Sequence, residues 1–366
     1  MAQKRSIICG NVKSTSKFIV HIYEPIYGYN NIAFFDSSSV NSSLINKTDS
    51  IFKVVNLEKP AFIKVYFTTP AKEFITLSDV LMFPGDSVHL DFDLSNDGAD
   101  GILYGGNNAM GQKLFNEINY NPVNKFIPVF DILDKLPENQ QSFVNEVENY
   151  FFSIKDRFDS LQKKSLITKK FTDYMDICFK SMLYSQVVSK LLRESKKSSV
   201  IARKVKENIV TQLFTNQPPT DERLKGLYTS EFYLNNYYDF LNYKKYNLEF
   251  TSDLTSKKIS YFNNGHSYLI AEDFVPFIYI EDKKKQQDLW ALRMLYFYNY
   301  PGKYDISLIK QYDSIFPDNK WSVLLEKKFE SMDIPEKIAY KLQSPVHFID
   351  TTGITSLHDL LNKLPH

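Results

Sequence analysis

Leu81-Met82-Phe83-Pro84-Gly85-Asp86-Ser87-Val88-His89-Leu90-Asp91-Phe92 carries two strands and the turn between them. Val88, Leu90, Phe92 and Leu94 alternate with His89, Asp91 and Asp93. A period of two puts the apolar set on one face and the polar set on the other, the pattern of a half-buried strand. Proline presets φ at the first central position of a tight turn and glycine accepts a positive φ at the next, so Pro84-Gly85 marks the turn. Asp86 and Ser87 are short polar side chains able to bond nearby backbone amides.

The sequence before this stretch has the same character. Ser6 to Gly10 reads as an opening strand, and Lys17-Phe18-Ile19-Val20-His21-Ile22-Tyr23 as a second, ended by Pro25 and the turn region at Gly28. The Ser/Asn/Thr-rich segment at 37–50 reads as a loop before a strand at Ile51 to Val55. Ala61 to Phe67 lies between Pro60 and Pro70, and Glu73 to Leu81 and Ser87 to Leu94 complete at least six strands. Short strands at this spacing, joined by polar turns, predict an antiparallel β-sandwich or partly closed barrel.

Past Asn96-Asp97-Gly98 and Gly105-Gly106-Asn107 the apolar period changes. Phe143, Val147, Phe151, Ile154, Phe158 and Leu161 fall at steps of four and three, one helical stripe. Phe171 to Leu192 predicts a longer helix, and Ile201, Val205, Ile209 and Leu213 a third stripe closed by Pro218-Pro219. Gln286 to Tyr300, Asp305 to Phe316 and Lys320 to Met332 follow as helices, separated by Pro301-Gly302 and Pro317-Asp318-Asn319. The expected fold class is α+β, with an antiparallel β domain at 1–105 and an irregular helical bundle at 106–340. A short strand and helix at 341–366 end the chain.

Composition narrows the function classes. Hydrophobic residues make up 43% of the 366, enough for substantial cores, and Gly 12 is low for a glycine-rich nucleotide fold. A net charge of +1 supplies no field to steer nucleic acid or anionic lipid, so the basic pairs such as Lys163-Lys164 and Lys196-Lys197 read as solvated helix faces. No run of ~18 apolar residues occurs, which argues against a transmembrane helix. Met1-Ala2-Gln3-Lys4-Arg5 has charge but no apolar region behind it. Either the protein is cytoplasmic or a signal peptide has been removed.

Chemistry-bearing residues are sparse. His89, Asp91 and Asp93 project from one face of a strand at ~6.5–7 Å intervals. That spacing lies in the ~6.5–9.5 Å range of an inverting glycosidase, and the same three residues offer a cation ligands. The simpler reading is the wet face of a strand. No Gly-x-Ser-x-Gly, His-Glu-x-x-His, Cys-x-x-Cys or Walker sequence is present, and the six histidines are scattered, with His266 read as a loop residue. Cys9 reads as a strand residue and Cys178, between Met175 and Met182, as a small buried hydrophobe; one bridge between them stays open. Tyr228, Phe232, Tyr233, Tyr237, Tyr238, Phe240 and Tyr243 exceed what one helical stripe buries. Tyr233, Tyr237, Tyr238 and Tyr243 are therefore candidates for a protein or peptide contact, the alternative being a helix buried on two sides.

Order and spacing of short motifs give a resemblance. The Pro84-Gly85-Asp86-Ser87 turn, the opening Ile8-Cys9-Gly10, Asp49-Ser50-Ile51-Phe52, the step Leu103-Tyr104-Gly105-Gly106-Asn107-Asn108-Ala109 and the late Tyr312 to Asn319 turn follow one another along the chain. So does the closing Pro345-Val346-His347-Phe348-Ile349-Asp350 with its helix through Leu357, Leu360, Leu361 and Leu364. Together they resemble the region that precedes the thioredoxin-like domain in TlpA-type thiol–disulfide oxidoreductases of the Bacteroidetes cell envelope. Ser50 departs from the glycine usual there. The resemblance implies a periplasmic or envelope protein with its signal peptide removed, and a thioredoxin-like domain C-terminal to His366. It implies a non-catalytic accessory role, positioning a protein or peptide substrate, with no catalytic residue and no cofactor in this chain. A binding module for a polypeptide or glycan, and a hydrolase with an interdomain cleft, are the alternatives.

Overall fold

The alternation read at Val88 to Asp93 is realised in the folded chain, where His89, Asp91 and Asp93 are half-exposed and Val88, Leu90 and Phe92 buried. The computed structural model describes residues 4–14, 17–25, 40–45, 48–69, 74–95, 101–120, 140–194, 200–227, 233–238, 240–241, 258–263, 266–271, 280, 282–297 and 306–330. It divides into two compact units, Met1–Trp290 and Ala291–His366. The change from strands to helices near 105 falls inside the first unit, and the segment 341–366 lies outside the described residues.

The strands are β1 (Lys4–Lys13), β2 (Phe18–Tyr23), β3 (Val40–Ile45), β4 (Thr48–Leu57), β5 (Ala61–Thr68), β6 (Phe74–Met82), β7 (Ser87–Asp93) and β8 (Ile102–Gly105). They form two four-stranded sheets, β4-β1-β7-β8 and β3-β2-β5-β6, here called the outer and inner sheet. Neither closes into a barrel; the fold is α+β. The two sheets share one core, with Ile8, Val12, Val88, Leu90 and Phe92 from one and Val20, Ile63, Val65, Phe67 and Val80 from the other. Phe67 and Phe92, ring centroids 4.5 Å apart, join them.

Two expectations are corrected. The segment at 37–50 holds strand β3, which pairs antiparallel with β2 from Phe18↔Ile45 to Tyr23↔Val40. Polar residues such as Asn41, Ser42 and Ser43 have low strand propensity, and pairing to a neighbour overrides it. The sandwich is also not wholly antiparallel, because β1 and β7 run parallel. The cause is the Pro84-Gly85 turn: β6 belongs to the inner sheet and β7 to the outer, so the turn is a corner between sheets. Gly85 has φ +95°. Asp86 accepts from the Phe83 amide at 3.0 Å, and the Ser6 hydroxyl donates to the Phe83 carbonyl at 3.1 Å while accepting from the Gly85 amide at 2.9 Å. Ser6 on β1 thus ties the corner to the strand that β7 joins.

The helices are α1 (Ala109–Tyr120), α2 (Gln140–Lys163), α3 (Lys169–Glu194), α4 (Val200–Asn216), α5 (Lys283–Phe297), α6 (Ile306–Ile315) and α7 (Ser322–Glu330). The predicted stripe Phe143, Val147, Phe151, Ile154 and Phe158 on α2 is buried, and α3 is buried along most of its length. Strand β5 is covered on both faces, since Phe62 turns away from the sandwich and meets Phe115 of α1 at 4.8 Å. Helices α1 to α4 therefore form a third layer on the inner sheet. A hairpin of β9 (Lys258–Asn263) and β10 (His266–Ala271) was not expected, and it makes His266 a strand residue rather than a loop residue. In the second unit Asn319 caps α7, accepting from the Trp321 and Ser322 amides at 2.9 and 2.8 Å.

What sets the position of the helical layer on the sheet is a pair of side-chain amides. β6 is an edge strand, so alternate backbone groups along it lack a strand partner. Gln112 accepts from the Leu81 amide at 3.0 Å and donates to the Leu81 carbonyl at 2.7 Å. Asn116 accepts from the Asp79 amide at 2.8 Å and donates to the Asp79 carbonyl at 2.8 Å. Residues four apart on a helix rise ~6 Å and residues two apart on a strand ~6.8 Å, so the two spacings nearly match. Both amides are 2% exposed, so water is no substitute for them.

Gln112→Ala or Asn116→Ala leaves two buried backbone groups unpaired, and each is expected to lower unfolding free energy by about 1–3 kcal/mol in urea titrations. Next to them Asp79 is 1% exposed. Burial pushes its carboxyl up to about 6, against the pull of Lys64 at 3.8 Å. An unfolded Asp titrates near ~3.9, so between these values the folded chain holds a proton the unfolded chain has released. The stability this group contributes is therefore full below about pH 4 and lost as pH rises through about 6. Compared with Asp79→Asn, the native protein should lose roughly 2 kcal/mol between pH 4 and pH 7 in paired denaturant titrations.

Candidate functional site

Among the described residues the helical layer packs on the inner sheet, and the outer sheet turns its far face outward. Alternation on β1 points Ile7, Cys9 and Asn11 there, and on β7 Ser87, His89 and Asp91. Strand register sets these in rows. Phe52, Cys9, His89 and Gly105 lie side by side across β4, β1, β7 and β8. Ser50 and Asn11 pair in the next row, where Asp91 stands opposite Leu103. Phe52 and Leu103 are each 69% exposed, and Val54 is 37% exposed.

At the centre the polar side chains are joined. Asp91 Oδ1 accepts from the Asn11 backbone amide at 2.8 Å, from Asn11 Nδ2 at 2.9 Å and from His89 Nε2 at 2.9 Å. His89 Nδ1 then faces Cys9 Sγ at 3.6 Å. Partial burial pushes the Asp91 carboxyl up, but the bonds from Asn11 and His89 outweigh it and hold it below the usual carboxylate range. Asp93 stands apart, accepting from Ser95 and from Lys13 Nζ at 3.1 Å, and the Ser95 bonds hold it low as well.

These contacts bear on the readings of the strand acids. An inverting hydrolase needs one carboxylic acid with a raised pKa to protonate the leaving group. Asp91 and Asp93 are both kept ionised, so neither is suited to donate. Among the described residues no group of three or more His, Cys, Asp or Glu side chains is arranged to hold a metal ion. His89 and Asp91 do meet, through a hydrogen bond, whereas Asp93 belongs to the Lys13 pair. Cys9 and Asn11 complete the cluster, and sequence reasoning missed them. The alternation Ile8-Cys9-Gly10-Asn11-Val12 places both on the outer face, but only the parallel pairing of β1 with β7 brings them to His89.

Gly10 makes that pairing close. A Cβ built on it would lie 1.8 Å from the Leu90 carbonyl oxygen. No larger residue fits between these strands without moving them.

The tyrosine candidates separate. Tyr233 is fully buried, its hydroxyl donating to the Gln217 carbonyl at 2.6 Å and its ring 5.4 Å from Phe214. It is a core residue and presents no contact surface. Tyr237 and Tyr238 are half-buried, with Tyr237 edge-on to Phe214 at 5.1 Å and burial pushing the Tyr238 hydroxyl up to about 12. Tyr243 lies outside the described residues. For this segment the alternative of a helix buried on two sides fits Tyr233 better than a contact surface does. Both cysteines carry free thiols, and Cys178 is buried on α3.

A concavity of about 320 Å³ is lined by Lys59, Asp221, Glu222, Lys225, Asp282 and Lys285 among others. Several of its charges are already partnered. Lys59 pairs with Glu222 at 3.1 Å, Arg223 with Asp221 at 2.7 Å, and Asp282 caps α5 through the Lys284 and Lys285 amides.

No protein-family model, curated protein or solved structure matches the chain. No helix among the described residues is long and apolar enough to cross a membrane.

Tyr233→Phe removes one buried hydrogen bond and should cost about 1 kcal/mol in thermal or urea unfolding. It should leave any surface binding untouched, which a side-by-side binding titration of the two proteins checks.

Proposed function

We propose that this chain is a non-catalytic accessory region that positions a polypeptide, in the setting of a TlpA-like thiol–disulfide oxidoreductase of the cell envelope. The observation that carries the reading is the outward face of the outer sheet, where Phe52 and Leu103 are each 69% exposed on either side of a polar centre. Large apolar side chains flanking hydrogen-bonding groups on a flat surface suit an extended polypeptide. Both edge strands of that sheet, β4 and β8, carry one of the exposed side chains. The order of short motifs along the chain adds the thioredoxin-like partner and the envelope location. Asp91 and Asp93, both held ionised, weigh against the hydrolase alternative.

The test is binding of a fluorescent unfolded polypeptide, reduced and carboxymethylated α-lactalbumin, followed by anisotropy. Phe52→Ser combined with Leu103→Ser should weaken binding by about tenfold or more, because exposed apolar anchors dominate such contacts. The melting temperature should stay within a degree or two, since both side chains are outside the core. Absence of binding by the native protein, or equal affinity in the double variant, would overturn the reading.

A further inference from the structure

We propose that Cys9 is a reactive thiol, activated by His89 under the hold of Asp91, and that it forms mixed disulfides by thiol–disulfide exchange. The inference does not rest on polypeptide docking, since a small disulfide suffices to show it.

The geometry begins at Asn11. Its backbone and side-chain nitrogens both donate to Asp91 Oδ1, at 2.8 and 2.9 Å, and so fix the carboxylate. An ionised carboxylate only accepts, so the ring nitrogen that meets it at 2.9 Å, His89 Nε2, carries a hydrogen. In the neutral ring the other nitrogen is then a bare acceptor, and Nδ1 is the atom that faces Cys9 Sγ at 3.6 Å. The thiol hydrogen has a choice of two acceptors, Nδ1 and the Val88 carbonyl at 3.7 Å, and only the imidazole can take the proton. The resulting imidazolium sits against Asp91, which stabilises it. Nucleophile, base and base-orienting carboxylate thus stand in the order that activates a thiol in general.

The site is open to a reactant. The His89 side chain is 45% exposed. On its flank β8 contributes Gly105, where a Cβ would come within 3.1 Å of the His89 Cβ. The ionisable side chains sharing the face from the two packed strands are Arg5 and Lys13 on β1 and Asp91 and Asp93 on β7. The neighbouring strands bring Ser50, Phe52 and Val54 from β4 and Leu103 from β8.

The step balances without a further oxidant. The Cys9 proton passes to His89 Nδ1, and the thiolate attacks one sulfur of a disulfide. A new S–S bond forms as the old one breaks, and the departing thiolate takes the proton from the imidazolium. The Cys9 sulfur goes from the −2 to the −1 state as the leaving sulfur goes from −1 to −2, so oxidation and reduction cancel. The sequence holds two cysteines, and Cys178 is buried with its hydrogen directed to Met182 Sδ at 3.7 Å. No second thiol stands ready to resolve the adduct, so the expected outcome is capture that lasts until an external thiol arrives.

The full chain, reduced, is exposed to oxidised glutathione and, separately, to a disulfide-linked peptide with aromatic residues beside its cysteine. Intact and peptide mass spectrometry should find one adduct per chain, on Cys9, absent in Cys9→Ser. Near pH 6.5 His89→Gln should slow both reactions by about tenfold or more and move the midpoint of the rate–pH profile upward. Asp91→Asn should slow them by a few-fold, with the melting temperatures of all variants compared to separate chemistry from folding. A Phe52→Ser variant that slows only the peptide arm assigns the natural disulfide to a polypeptide; equal slowing or none assigns it to a small molecule, and either supports the thiol chemistry. An unchanged rate and pH profile in folded His89→Gln, or an adduct on Cys178, would overturn the proposal.

Discussion

The edge of β6, which has no further strand beside it, is the constraint from which the arrangement of layers follows. A strand at the rim of a sheet presents amides and carbonyls that must be paired or wetted. Here the rim is buried under helix α1, so wetting is not available. Gln112 and Asn116 stand in for a further strand, each returning one donor and one acceptor to the residue it faces. Once these amides are spent on the backbone, α1 has a fixed height and rotation against the inner sheet. That brings Phe115 onto Phe62 and Phe179, and through Phe179 onto Phe158 of α2. The apolar contacts supply most of the driving force, and the amide pair decides where they fall.

Covering one side of a sandwich leaves the other side to do something else. Strand β5 of the inner sheet has both faces buried, which is why it reads as an almost continuous apolar run. The outer sheet is half-buried, so its strands keep the alternation of apolar and polar residues. Every second residue of β1 and β7 is thereby released from packing and is free to carry chemistry. Cys9, Asn11, His89 and Asp91 are four such residues, drawn from two strands about 80 positions apart in the chain.

Legibility followed locality. The Pro84-Gly85 turn, the alternation in β7 and the stripe on α2 depend on neighbours in sequence, and each is found in the structure within a few residues of its expected place. Strand β3 was hidden because Ser and Asn disfavour strands until a partner strand pairs with them. The Asn264-Gly265 pair is the strongest short-range hairpin signal a sequence can carry, and reading His266 as a loop residue neglects it. Gln112 and Asn116 look like ordinary polar positions on an amphipathic helix, and nothing in their spacing names the strand they serve. Tyr233 was a contact candidate because its cluster exceeds one helical stripe, whereas its ring packs on Phe214 and the Gln217 carbonyl satisfies its hydroxyl inside the core.

The thiol–imidazole pair shows how far a local feature can set a distant one. A hairpin at Pro84-Gly85 would have laid β7 antiparallel beside β6, in the inner sheet. Because the turn is a corner held by Ser6, β7 crosses to the outer sheet and enters parallel to β1. Parallel entry puts Cys9 level with His89, and Gly10 lets the two backbones close to a distance that a side chain would prevent. Shifting the register by one residue would turn His89 inward, against Val20 and Phe67 in a core with no room for an imidazole. The burial that fixes the sandwich therefore also fixes the register, and the register places a base beside the one cysteine that faces outward.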